Sequence, residues 1–160
     1  MTALARSRGF TLIELLVTMT IVAVMLGLGI PSFRSFVADQ RVKTASSDLM
    51  SSMMLARSEA IKRNATVNLT PNSSASWASG WSVAVGATTV QTTTIQSGDS
   101  LSIAQKDTSN TTVGPTVISF GSTGRPAAKV YFQITGMGSA VKCVKLDSIG
   151  IPTSTNGSCS

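Results

Sequence analysis

The chain has 160 residues, a formal net charge of +6, no histidine and only 12% charged residues. Without histidine it has neither a Ser-His nor a Cys-His catalytic pair, and most zinc sites are excluded. The mild positive charge permits a role on nucleic acid or an anionic surface but does not argue for one. Since the seven acidic residues are scattered, we expect a non-enzymatic protein with no cofactor and no metal.

An apolar stretch follows a short basic leader at the N-terminus. Between Phe10 and Ile30 the only charged residue is Glu14, while Arg6 and Arg8 precede the stretch. A helix of this length spans about 31 Å, the thickness of the hydrocarbon core of a bilayer. We therefore predict one membrane-spanning helix. The leader arginines predict a cytoplasmic N-terminus and a C-terminal domain on the outer side.

The alternatives for this stretch are a plain signal peptide or anchor, a buried core helix, and a spanning helix in which Glu14 has a function. A plain signal peptide or anchor would have no use for it, although Gly27-Leu28-Gly29 could serve as the small residues of a cleavage site. A carboxylate within a spanning helix costs about 2.5–3.5 kcal/mol on insertion scales and usually marks a function. A buried core helix is disfavoured by the length and apolarity of the run.

The segment Gly9-Phe10-Thr11-Leu12-Ile13-Glu14 resembles the processing site of type IV prepilins and pseudopilins. The resemblance implies that residues 1–9 are a leader, that a prepilin peptidase cuts after Gly9, and that it methylates the new Phe10 amine. Glu14 would then pair with the amine of a neighbouring subunit and set the axial register, as buried polar groups can.

The helical pattern continues beyond the span. Residues 10–31 form the predicted transmembrane and assembly helix, and Pro31, which also matches the pilin pattern, predicts a kink or local melting at the membrane exit. Residues 32–63 continue it as an amphipathic helix that ends near Asn64. Its core face is predicted to consist of Val42, Ala45, Leu49, Met53, Ala56 and Ala60. We expect Arg57 and Glu59 to be solvated charges.

A second resemblance lies where this helix ends. The helix closes with the segment Ala56-Arg57-Ser58-Glu59-Ala60, which is followed by a strand and then by Trp77-Ala78-Ser79-Gly80-Trp81. This order of segments resembles the GspH/FimT class of minor pseudopilins and minor pilins. Ser119 to Gly124 resembles the later strand-and-turn segment of the same class. The two tryptophans are expected to pack between helix and sheet.

Residues 64–160 are predicted to form a β-rich globular domain. Short runs of alternating or β-branched residues, punctuated by glycine, predict strands at Trp81–Val85, Thr89–Ile95, Leu101–Ala104, Thr116–Phe120, Lys129–Ile134 and Val141–Leu146. The polar segment Gln105–Gly114 is predicted to be a loop. We expect an α+β pilin fold, in which a long N-terminal helix packs on one face of an antiparallel sheet.

Two features near the C-terminus remain. In an oxidising outer compartment, Cys143 and Cys159 are expected to form a disulfide, although two unpaired thiols are the alternative.

The one candidate basic cluster for DNA binding consists of Arg125, Lys129, Lys142 and Lys145. Spacing places Lys142 and Lys145 on opposite faces of a strand, so a continuous stripe for DNA is not assured. Some relatives carry Gly-Arg in the tail, linked to DNA binding, whereas Gly150 is followed here by Ile151.

The resemblance therefore implies a minor pilin that primes or caps assembly of a type IV pilus. The alternatives are an H-type minor pseudopilin of type II secretion, a DNA-binding minor pilin for transformation, and a simple single-span membrane protein. The implied partners are other pilin or pseudopilin subunits, the prepilin peptidase and an inner-membrane assembly platform. We expect a bacterial inner-membrane protein with a periplasmic domain, later present in the pilus or pseudopilus.

Overall fold

The computed structural model describes residues 9–95 and 101–159, except for the side chains of residues 28–31. Residues 1–8 of the expected leader lie outside the described residues. The chain divides into two compact units, Met1–Arg34 and Ser35–Ser160. The first unit holds the apolar part of the helix, and the second holds the globular domain.

The elements follow one another as one long helix and eight strands in the described residues. They are α1 (Leu12–Arg63), β1 (Val67–Ser73), β2 (Ser76–Val85), β3 (Thr88–Thr94), β4 (Ser102–Lys106), β5 (Ile118–Phe120), β6 (Val130–Thr135), β7 (Val141–Leu146) and β8 (Pro152–Asn156). All strand pairs are antiparallel. The expected α+β fold with a long N-terminal helix is therefore confirmed.

The strands form two sheets, whereas we expected one. The first sheet has the order β3-β2-β1-β5 and the second the order β4-β6-β7-β8. Two strand predictions need correction. Segment Pro152–Asn156 forms β8, a strand that is missing from the predicted set, because its backbone pairs with β7 from Lys142 to Leu146. Strand β4 extends to Lys106, into the segment predicted to be a loop.

Helix α1 ends where the sequence predicts. Asn64 has a φ of 48°, in the left-handed region. The amide of Asn64 donates to the carbonyl of Ile61 at 3.3 Å, and that of Ala65 to the carbonyl of Ala60 at 3.2 Å. This pair of bonds is a Schellman motif, which satisfies the last carbonyls of the helix, and asparagine tolerates its left-handed position.

At Pro31 the helix α1 is continuous, which contradicts the expected local melting. Since the side chains of residues 28–31 lie outside the described part of the chain, the kink stays a prediction.

The core of the second unit lies between α1 and the two sheets. The six predicted core residues of the helix, Val42, Ala45, Leu49, Met53, Ala56 and Ala60, are all buried. They pack with inward-facing residues of both sheets, among them Leu69, Val83, Phe120, Phe132 and Val144. The spacing of three and four residues therefore identified the packing face of the helix correctly.

Candidate assembly and processing site

The N-terminus of α1 is capped by Thr11 and Glu14. The backbone amide of Glu14 donates to Thr11 Oγ1 at 3.3 Å, and the backbone amide of Thr11 lies 3.5 Å from Glu14 Oε2. The Thr11 hydroxyl donates to the same carboxylate oxygen at 3.4 Å. This reciprocal arrangement is a capping box, and a carboxylate in the first turn also suits the helix dipole. Sequence reasoning had found Glu14 but had not found this local role.

The helix that follows this cap is covered with exposed apolar side chains. Phe10 is 75% exposed. At least half of each side chain is exposed in Leu12, Ile13, Leu15, Leu16, Val17, Met19, Ile21, Val22, Val24, Met25 and Leu26. By length and composition, α1 is the one helix of the described chain that could cross a membrane. A surface this apolar requires lipid or other protein around it.

The two tryptophans are fully buried, as predicted. Trp77 contacts Phe132 edge to face at a centroid distance of 5.0 Å, and lies 6.5 Å from Trp81. The indole of Trp77 donates to Gln105 Oε1 at 2.9 Å. Their role is therefore packing in the core, not contact with a partner.

Gln105 is a buried polar residue that sequence reasoning placed in a loop. Its Oε1 accepts hydrogen bonds from the Trp77 indole and from the backbone amide of Thr116, each at 2.9 Å. Its Nε2 donates to Thr116 Oγ1 at 2.7 Å. One side chain therefore joins β2, β4 and the segment before β5. No local signal identifies such a residue, because its partners are 11 and 28 residues away.

The prediction that Glu59 is solvated is wrong. Its side chain is only 12% exposed and forms ion pairs with Lys62 and Arg63. The hydrogen bond from Arg63 is the main cause that lowers the pKa of Glu59, helped by the positive charges of Arg63 and Lys62 and opposed by burial. The residue faces the domain because the helix turns it inward beside the buried Ala60.

Arg57 is half-buried and lies beside two glycine turns. A Cβ on Gly124 would come within 2.9 Å of Arg57 Cγ, and one on Gly150 within 3.4 Å of Arg57 Cδ. Both glycines have a positive φ, of 74° and 80°. Arg57 therefore has a packing role that the expectation of a solvated charge missed.

The four candidate DNA-binding residues are distributed over different parts of the domain. Lys142 pairs across the sheet with the buried Ile134, so it lies on the helix-facing side, whereas Lys145 pairs with Tyr131 on the outer side. This agrees with the predicted opposite faces. Arg125 lies in the turn after β5, and the exposed Lys129 directly precedes β6. DNA binding stays a prediction, with no shared strand face to support it.

The expected disulfide between Cys143 and Cys159 is formed, and their Cα atoms are 5.1 Å apart. Cys143 lies in β7, and Cys159 follows the end of β8. The bond therefore ties the end of the chain to an inner strand of the second sheet. Within the described residues, no group of three or more His, Cys, Asp or Glu could hold a metal ion.

Two family models match the chain. One, described as a prokaryotic N-terminal methylation motif, matches residues 4–30, which include the capped start of α1. The other, described as type II transport protein GspH, matches residues 45–150. This second match covers most of the globular domain and more than half of the chain. The chain belongs to the GspH family.

Among solved structures, this GspH-family chain is similar to two crystal structures of the type IV minor pilin FimU of Pseudomonas aeruginosa strain PAO1. One, in space group P21, has a TM-score of 0.60 at 16% identity and covers 78% of this chain and 99% of that chain. The other, in space group P65, has a TM-score of 0.59 at 17% identity, with coverages of 74% and 99%. At these identities the likeness shows a shared fold. No curated protein sequence in the comparison matches the chain.

Proposed function

We propose that this GspH-family protein is a non-enzymatic minor pilin that is processed by a prepilin peptidase and primes or caps the assembly of a type IV pilus. The observation that carries the proposal is the exposed apolar helix, which begins at a capping box directly after the candidate cleavage site at Gly9. The match to a methylation motif over residues 4–30 supports the same site.

Cleavage after Gly9 would leave Phe10 as the N-terminus, four residues before Glu14. In a membrane or a helix bundle, the isolated carboxylate would cost about 2.5–3.5 kcal/mol. The amine of a neighbouring subunit would offset that cost and fix the axial step. A head-to-tail interface of this kind would build an open filament and not a closed ring.

The H-type pseudopilin of type II secretion is the second candidate, because the family model that matches the domain is described as a type II transport protein. A deletion strain scored for sheared surface pili and for secreted protein separates the two. Loss of pili with secretion intact supports the pilus, and the reverse result supports the pseudopilus.

The N-terminus tests what both candidates share. Mass spectrometry of the protein from membranes is expected to find methylated Phe10 as the first residue. An unprocessed Met1, or a cut near Gly27, would contradict both candidates and favour a simple anchor or signal peptide.

A further inference from the structure

The turn between β6 and β7 (residues 136–140) is held against α1 by the carboxylate of Asp39. Asp39 Oδ1 accepts a hydrogen bond of 2.7 Å from the backbone amide of Ala140. The turn approaches the helix so closely that a Cβ on Gly138 would come within 2.9 Å of the carbonyl oxygen of Ser35. The β6–β7 turn therefore lies alongside the first helical residues of the second unit.

This turn carries an apolar side chain that is exposed to solvent. Met137 is 80% exposed, more than any other large apolar side chain among the described residues. Phe36, which follows Ser35 in α1, is 57% exposed. Methionine is flexible and polarisable and adapts to irregular apolar surroundings. This end of the domain therefore presents two large, exposed apolar side chains.

The covalent chain holds the β6–β7 turn close to the predicted membrane span. The apolar run ends at Ile30, and Ser35 follows five positions later. Five residues cover about 8 Å as a helix and at most about 18 Å when fully extended. The polar layer of a bilayer is about 5–8 Å thick on each side of the hydrocarbon core. A turn packed against Ser35 is therefore held near that layer, whatever the bend of the helix at Pro31.

Two lysines lie in a cleft beside the same turn. The cleft is open, has a volume of about 460 Å³, and is lined by Lys43 and Lys142 together with the turn residues Ser139 and Ala140. Its lining contains no acidic residue from the described part of the chain, and neither lysine pairs with a carboxylate there. Exposed apolar side chains beside unpaired lysines are the combination with which interfacial protein surfaces bind anionic membranes.

We propose that the β6–β7 turn contacts the surface of the membrane that holds α1, with Met137 in the headgroup layer and with Lys43 and Lys142 attracting anionic phospholipid headgroups. The apolar side chain gains by leaving water. The lysines gain by attraction to phosphate, which falls off within a Debye length of about 10 Å. The inference rests on the membrane anchor that both proposed functions share, and it does not depend on which filament is built.

Spin labels on the full-length protein test this contact. One label is attached to Met137→Cys, and the matched position is Ile149→Cys, an exposed apolar residue in another turn. Because both native cysteines are in the disulfide, the label reacts with the added thiol. The turn that contains Ile149 packs beside Arg57, which lies about 27 Å further along α1 than Asp39.

The labelled protein is placed in vesicles of phosphatidylcholine and phosphatidylglycerol. The accessibility of each label to oxygen, which collects in lipid, is compared with its accessibility to a water-soluble nickel complex. We expect a higher ratio of oxygen to nickel accessibility at Met137 than at Ile149. Equal ratios, with a lipid-like ratio for a label at Ile21 in the span, overturn the inference and leave the proposed function intact.

Two other results of the labelling experiment also overturn the inference. A water-like ratio at Ile21 removes the membrane anchor, and with it both the inference and the proposed function. A label at Met137 that is shielded only in assembled filaments shows that the turn contacts a neighbouring subunit and not lipid.

Charge removal tests the choice of anionic lipid. The double variant Lys43→Gln, Lys142→Gln removes the two charges of the cleft. The matched double variant Lys62→Gln, Lys129→Gln removes two exposed charges elsewhere in the domain. We expect the first to lower the ratio at Met137 to its value in vesicles of phosphatidylcholine alone, and the second to leave it unchanged. Equal ratios for the two double variants overturn the inference.

Discussion

The indole Nε1 of Trp81 donates a hydrogen bond of 2.9 Å to Ser52 Oγ, and both residues are fully buried. The bond joins β2 to α1 inside the core, where water cannot replace either partner. We predict that Ser52→Ala lowers the free energy of unfolding of the domain from Ser35 by about 1–3 kcal/mol, because it leaves a buried indole N–H unsatisfied. Urea unfolding measures this change.

Ser51→Ala is the control, since Ser51 is exposed on the same helix. Its effect is expected to stay within about 0.5 kcal/mol. Equal effects of the two substitutions would show that the hydrogen bond contributes little to stability.

Glu14 has a local role in the capping box and a proposed role as the partner of a neighbouring subunit's amine, and the two roles can be tested separately. Glutamine also serves at this position of a capping box, so Glu14→Gln keeps the local hydrogen bonds but removes the charge. We predict normal helicity and membrane insertion for Glu14→Gln, with loss of incorporation into filaments, because the pairing with a neighbour's amine is lost. Thr11→Val is the converse variant, and we expect it to fray the first turn while it incorporates. Normal incorporation of Glu14→Gln would restrict Glu14 to its role as a cap.

Glu59 should make the stability of the domain depend on pH. Because folding lowers the pKa of Glu59 below its ordinary value of 4.5, its contribution is complete above that pH and is lost as the pH falls through the lowered pKa. We predict that Arg63→Gln destabilises the domain near neutral pH and that the difference from the wild type shrinks in acid.

Lys62→Gln is the matched control for Arg63→Gln, because the side chain of Lys62 is 75% exposed and its pairing distance to Glu59 is 3.6 Å. We expect a smaller effect at every pH. Denaturant titrations at several pH values measure both variants. A difference for Arg63→Gln that stays constant with pH would exclude the Glu59 pair as its source.

The disulfide should stabilise the end of the second sheet. Its loop separates cysteines by 16 positions, and the chain-entropy model gives about 3 kcal/mol for a loop of about this size. We predict a loss of that order for the double variant Cys143→Ser, Cys159→Ser, with faster hydrogen exchange in β8. If β8 exchanges unchanged, its pairing with β7 holds the chain end without the covalent bond.

Alanine substitutions at two glycines with similar backbone angles separate the cost of backbone strain from the cost of steric crowding. Gly150 has a φ of 80° and Gly157 a φ of 98°. A Cβ on Gly150 would clash with the carbonyl oxygen of Gly124, whereas one on Gly157 would meet open space. We predict that Gly157→Ala costs about 1–2 kcal/mol from the left-handed backbone alone. Gly150→Ala should cost more, since crowding adds about 1–3 kcal/mol. Similar thermal unfolding of the two variants would contradict the close approach of the two turns.

The sequence alone identified the features that depend on neighbours along the chain. Helical spacing identified the six buried positions from Val42 to Ala60, and the segment around Asn64 identified the end of α1. The apolar run predicted a helix long and apolar enough to cross a membrane, and the tryptophan pair was correctly assigned to the core. These features follow from periodicity and from local turn chemistry, which a sequence carries explicitly.

Only the tertiary structure decided the features that depend on distant neighbours. Strand β8 forms because β7 offers it a backbone partner, although its own sequence resembles a tail. Gln105 is buried because Trp77 and Thr116 supply its hydrogen bonds, and Glu59 is buried because Arg63 compensates its charge. Burial of a polar group is tolerated only when its partners are in place. Those partners, like the division of the strands into two sheets, are set by packing across the domain and not by local pattern.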